Sequence, residues 1–127
     1  MKELKIKGEF SNIKGQVDLQ LPLISFISDN VFMVYCPALD LTGYGNDEIE
    51  ARSGFEVVLE EYLNYTTNKG TLWNDLKKLG WRIQKDKQKP ATPPTLSYLL
   101  EKNEEFSNIF NNYPFKKFNT GITLPAA

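Results

Sequence analysis

Asp40 lies in the stretch Tyr35-Cys-Pro-Ala-Leu-Asp-Leu-Thr-Gly-Tyr-Gly45, where an apolar strand runs through a proline and two glycines into a capped helix. It is the one acid on this corner that local structure does not explain at once. Acid–base or magnesium chemistry would need such a carboxylate. A turn would equally use it to accept backbone N–H bonds at an unusual dihedral angle, and that reading is the cheaper one. The rest of the inventory narrows the chemistry further. The chain has no histidine, which removes histidine triads, His–Cys dyads and mixed His/Cys zinc sites. Its single cysteine, Cys36, builds neither a thiolate metal site nor a CxxC pair, and inside an apolar run it reads as a small buried hydrophobe.

Gly43 and Gly45 do not make a phosphate loop. Their spacing fits neither GxGxxG nor the P-loop, and the helix that follows opens with Asp47 and Glu48, which would repel an anion. The glycines are read instead as allowing a sharp turn with positive φ. Phe10, Phe26, Phe32, Tyr35 and Tyr44 suggest a base-stacking platform, but core packing accounts for them more simply. Lys85, Lys87 and Lys89 form a modest basic cluster in a solvated linker. No residue takes a catalytic, cofactor-binding or metal-binding role on this reading.

The 127 residues suffice for one domain, and 41% apolar with 24% charged residues describes a globular chain. A net charge of −1 gives the whole chain no long-range pull on nucleic acid. One cysteine, no apolar signal-peptide core in MKELKIKGEF and no membrane-length apolar run point to a cytoplasmic protein.

The elements follow from pattern. Leu4–Ile6 alternates as a short edge strand. Val17, Leu19 and Leu21 share a strand face, and Pro22 marks an edge, a bulge or a change of direction. Ser28-Asp29-Asn30 is turn chemistry, and Val31–Cys36 is the best central strand. Asp47 caps a helix with Glu50 as the other half of a capping box. Ala51, Phe55, Val58, Leu59 and Tyr62 form its apolar stripe. Glu48 and Arg52 are spaced as a surface pair, and Gly54 signals either close approach to the sheet or simple tolerance. The helix ends near Gly70. Thr71 caps a shorter helix to Leu79, with Gly80 as a left-handed terminator. Trp81-Arg82-Ile83 returns as a last strand of the sheet. Three units result: a core over 1–84, a proline- and lysine-rich linker over 85–95, and a C-terminal part over 96–127. That last part holds one amphipathic helix (Leu96, Leu99, Leu100, Phe106, Phe110, interrupted by Asn103) and a strand-like tail from Thr120, docked on the core or swapped between protomers.

The segment from Pro37 through Ala51 resembles the HicB-like domain of bacterial type II toxin–antitoxin systems. Pro37, Leu39, Asp40, Gly43, Gly45, Glu50 and Ala51 stand where that family has its Pro-x-Leu segment, small-residue turn and capped Glu-Ala helix, and the likeness covers roughly residues 25 to 83. It implies an α+β fold, an antiparallel three- to four-stranded sheet with one long helix across a face, plus the C-terminal amphipathic helix. It also implies a partner, a small basic toxin that targets RNA, which the chain would bind and mask. Leu39, Asp40 and Tyr44 are the residues the corner would offer to that partner. Pro37, Gly43 and Gly45 would shape the corner, and Asp47 and Glu50 the helix start.

Family members often carry a C-terminal ribbon-helix-helix or helix-turn-helix. One helix and a tail do not make either, so direct DNA binding is not expected. The alternative reading is a homo-oligomeric HicB-like scaffold without a toxin. A metal-dependent nuclease acting through Asp40 and nearby acids ranks third.

Overall fold

The computed structural model describes residues 7–10, 17–84 and 91–124. The expected strand at Leu4–Ile6 and the lysine cluster at 85–89 lie outside the described residues. The fold is α+β, an antiparallel sheet with a long helix across one face and C-terminal helices.

The sheet is organised around β2 (Val17–Ser28), twelve residues long. β1 (Lys7–Phe10) pairs with residues 17–20 and β3 (Val31–Cys36) with residues 24–28. β7 (Lys116–Leu124) pairs antiparallel along residues 17–25 on the opposite edge. β4 (Leu41–Gly45) extends the sheet beyond β3, giving the path β1-β2-β3-β4 with β7 on the other side of β2. Pro22 falls in the gap between β1 and β3, so its missing N–H leaves no ladder bond unmade on that edge. Asp29 and Asn30, with φ of 52° and 66°, form the two-residue β2–β3 turn, a shape whose twist matches the flanking strands.

Alternation along β2 and β3 sends side chains to two cores. Leu19, Leu21, Leu23, Val34 and Cys36 meet α1 (Glu48–Lys69) and α2 (Leu72–Lys78) through Ala51, Phe55, Leu72 and Leu76. Ile24, Phe26 and Tyr35 meet α3 (Leu96–Lys102) and α4 (Glu104–Asn112) through Leu99, Phe106 and Ile109. The first half of β2 is covered on one face only, and there Asp18 and Gln20 are exposed.

Several readings need correction. Thr71 stands before α2, but its side chain makes no capping bond. Arg82–Ile83 is not a strand of the main sheet: as β5 it pairs with β6 (Ala91–Thr92) in a separate two-stranded sheet. The single C-terminal helix is two helices, because Asn103 adopts an extended conformation (φ −110°, ψ 101°), ends α3 and caps α4. The tail is a full nine-residue strand. Pro93 and Pro94, inside the segment read as a linker, are buried.

α1 begins as its sequence dictates. Asp47 accepts the Glu50 N–H at 2.8 Å, and the Glu50 carboxylate reaches back to the Asn46 N–H at 2.8 Å. It ends at Gly70, φ 72°, where Thr71 N–H bonds the Thr66 carbonyl and Gly70 N–H that of Thr67. Gly80, φ 99°, terminates α2 in the same way.

Candidate functional site

What the sequence presents as a strand-to-helix corner is a hairpin. Pro37–Asp40 form a four-residue loop in which Asp40 N–H bonds the Cys36 carbonyl at 2.8 Å, and β4 follows at once. The residue with positive φ is Asp40 (56°), not Gly43 or Gly45. The glycines lie in β4 on the face toward α1. A Cβ on Gly43 would come within 2.2 Å of the Phe55 backbone nitrogen, and one on Gly45 within 2.4 Å of the Ala51 nitrogen. Gly54, on the helix, lets the Tyr44 carbonyl approach, with a Cβ there only 3.0 Å from it. The expected turn glycines are therefore contact glycines, and of the two readings of Gly54 close approach is the one realised.

Asp40 belongs to a hydrogen-bonded chain that ties the loop to the C-terminal helices. The buried Tyr35 hydroxyl donates to Asp40 Oδ1 at 2.6 Å and accepts from Asn103 Nδ2 at 2.7 Å. Asn103 Oδ1 in turn caps α4 by accepting the Phe106 N–H at 3.0 Å. Burial, reinforced by the Asp40 carboxylate, pushes the Tyr35 hydroxyl far above the ordinary phenol range, which keeps it a neutral donor. From the other side, the Trp81 indole N–H donates to the Ala38 carbonyl at 2.8 Å. Burial pushes the Cys36 thiol up to about 12, which makes it a poor nucleophile.

The corner residues thus fall into distinct places. Leu39 is 2% exposed and packs in the core, so its side chain is closed to a partner. Asp40 is exposed but bonded to Tyr35. Tyr44 is 59% exposed on β4, opposite Met33, on the sheet face away from α1. Asp47 and Glu50 are held in capping. Asp40 also lines a cleft of about 370 Å³ with Pro37, Lys78, Tyr98, Lys102 and Glu104, mixed in charge. Among the described residues no three of His, Cys, Asp or Glu cluster as a metal site, and no helix is long and apolar enough to cross a membrane.

A second region was not singled out by the sequence. The three glycines draw α1 toward β4, and on the other side a groove of about 460 Å³ opens between α1 and β7. Leu59, Leu63 and Ile122 line it with Glu56, Glu60, Asn64 and Asn68. Near the start of α1 long side chains bridge the gap: Lys116 Nζ lies 3.2 Å from Glu48, and the Arg52 guanidinium sits 3.8 Å over the Phe118 ring. The signal for Asn103 was present as an amide interrupting an apolar stripe. The bonds of Tyr35 and Trp81 were not legible, since both residues read as ordinary core aromatics.

Comparison with protein-family models, curated proteins and solved structures finds no match.

Proposed function

We propose that the protein is a HicB-like interaction module of the cytoplasm that binds and masks a small, basic, RNA-targeting toxin. The observation that supports this reading is the solvent face of α1. Ile49 and Val57 are 78% and 56% exposed there, at helical positions shared with Glu56, Glu60 and Glu61. Apolar side chains set among like-charged acids favour a protein partner of opposite charge, with the acids steering encounter and the aliphatic groups supplying contact area. Tyr44, an exposed aromatic with a polar tip, adds a contact on the opposite sheet face.

The C-terminal part works in this reading as a second layer of the fold rather than as a DNA reader. The order helix, helix, strand reverses that of a ribbon-helix-helix, and the exposed residues of α4 are Glu104, Glu105, Asn108, Asn111 and Asn112, which offer phosphate no cation.

The test is to search the adjacent genes for a small basic protein and to co-express it with this chain. Growth arrest by that protein alone, relieved by this chain, is the expected result. Equal toxicity with and without the chain overturns the antitoxin reading. A homo-oligomeric scaffold without a toxin would then be read by light scattering.

A further inference from the structure

The groove beside β7 has features that point to an extended occupant. β7 is a nine-residue strand whose one described partner is β2, so along its outer edge every second residue turns its N–H and C=O away from the sheet. Such an edge is a template for another strand unless charge, proline or a bulge blunts it. Within the described strand Lys116 and Lys117 do so at one end only. From Phe118 to Leu124 the strand carries no charge, and there the groove opens beside it.

We propose that the outer edge of β7 and the groove under α1 take an extended, basic segment of the partner as an added strand. The inference rests on the partner being basic, as in the function proposed above, and it names the surface that the partner uses. Backbone bonds to β7 supply affinity without sequence preference, and alternate side chains supply specificity. One set of side chains lies over Leu59, Leu63 and Ile122. Lysine or arginine at the mouth meets Glu56 and Glu60, on the α1 side of the groove. Lys116 and Lys117 repel cations from the other end, so the charges also set the register.

The test uses an acetylated, amidated nine-residue peptide of alternating lysine and valine, titrated into the isotope-labelled protein. The expected result is a change in the amide signals of 116–124 and of 56–68, with slowed hydrogen exchange at the outward amides of β7. A peptide with glutamate for lysine should leave them unchanged, and Glu56→Lys with Glu60→Lys should weaken binding about tenfold or more. Absence of any shift, or shifts confined to β4 around Tyr44, overturns the proposal. So do shifts at β7 on diluting the protein alone, since a second copy would then occupy the edge. Peptide binding at β7 without toxin suppression refutes the antitoxin reading alone. Suppression with β7 silent to both peptide and partner refutes this inference alone.

Discussion

The two edges of the sheet meet α1 through different side chains, glycine on β4 and larger residues on β7. On β4, Gly43 and Gly45 bring strand and helix so close that a Cβ at either would overlap helix backbone. On β7 the positions that face α1 carry full side chains, Phe118 and Ile122, while Gly121 faces away, its added Cβ 3.4 Å from the flexible end of Gln20. The helix is thus seated against one edge of the sheet and stands off from the other. The β4 side is closed by close contact, by Trp81 on the loop and by Tyr35 behind it. The β7 side is bridged near the start of α1 by the long side chains of Glu48, Arg52 and Lys116, and further along it holds the groove. Of the residues that look functional in sequence, Leu39 and Asp40 fall on the closed side and are consumed by structure, while Tyr44 stays exposed on β4. The surface with room for a partner lies on the open side.

Valine placed on each of the two strands reads this difference. Gly43→Val should cost roughly 3 kcal/mol or more, or prevent folding, because the atoms it meets are helix backbone that moves only with the whole helix. Gly121→Val should change stability by less than about 1 kcal/mol, since valine suits a strand and its side chain would point away from α1 into open space. Denaturant titrations of the two variants read the difference. Equal losses would show that contact with α1 is not what makes Gly43 obligatory.

Alkaline titration tests the closed side next. In the unfolded chain the Cys36 thiol ionises near 9.0, whereas burial pushes it up to about 12 in the fold. Between those values the folded state holds a proton that the unfolded state has lost, so stability is intact below pH 9 and falls as pH rises toward 12. Cys36→Ala should flatten the first part of that fall. Tyr62, pushed up to about 12 by burial with the nearby Asp75 carboxylate adding to it, leaves a slope above pH 10.

Two smaller losses should follow on the closed side. Trp81→Phe leaves the buried Ala38 carbonyl without its donor, at a cost of about 1–3 kcal/mol. Tyr35→Phe and Asn103→Ala should each cost about 1 kcal/mol or somewhat more, and the double variant less than their sum, because the two side chains share one bond. The smallest effect belongs to the open side. Lys116→Ala removes an exposed ion pair with Glu48 and should shift stability by no more than about 0.5 kcal/mol.

Legibility followed the range of the interactions. Asp47, Glu50, Gly70 and Gly80 act within a few residues of themselves, and their sequence reading matches the helix ends. The Asp29-Asn30 turn is legible for the same reason. β4 was hidden because Gly43 and Gly45 carry no strand signal: their reason for being glycine is the backbone of Phe55 and Ala51 on the helix that follows. β7 was seen only as a short tail, since Lys116, Lys117 and Asn119 show no apolar alternation and its pairing with β2 spans about a hundred residues of chain. The break at Asn103 depends on Tyr35, which is sixty-eight residues away. Of the three corner residues offered to a partner, Leu39 is buried because the loop it occupies folds inward under Trp81, which no local pattern encodes.

The most direct test of the central claim, that the chain acts by holding a basic protein partner, is affinity capture of the tagged protein from its native host. Wild-type protein and the Glu56→Lys, Glu60→Lys variant would be processed in parallel and the recovered proteins identified by mass. One small basic protein in stoichiometric amount is expected with the wild type, depleted with the variant, and the wild-type chain should suppress its toxicity. Recovery of this chain alone from both would contradict that claim.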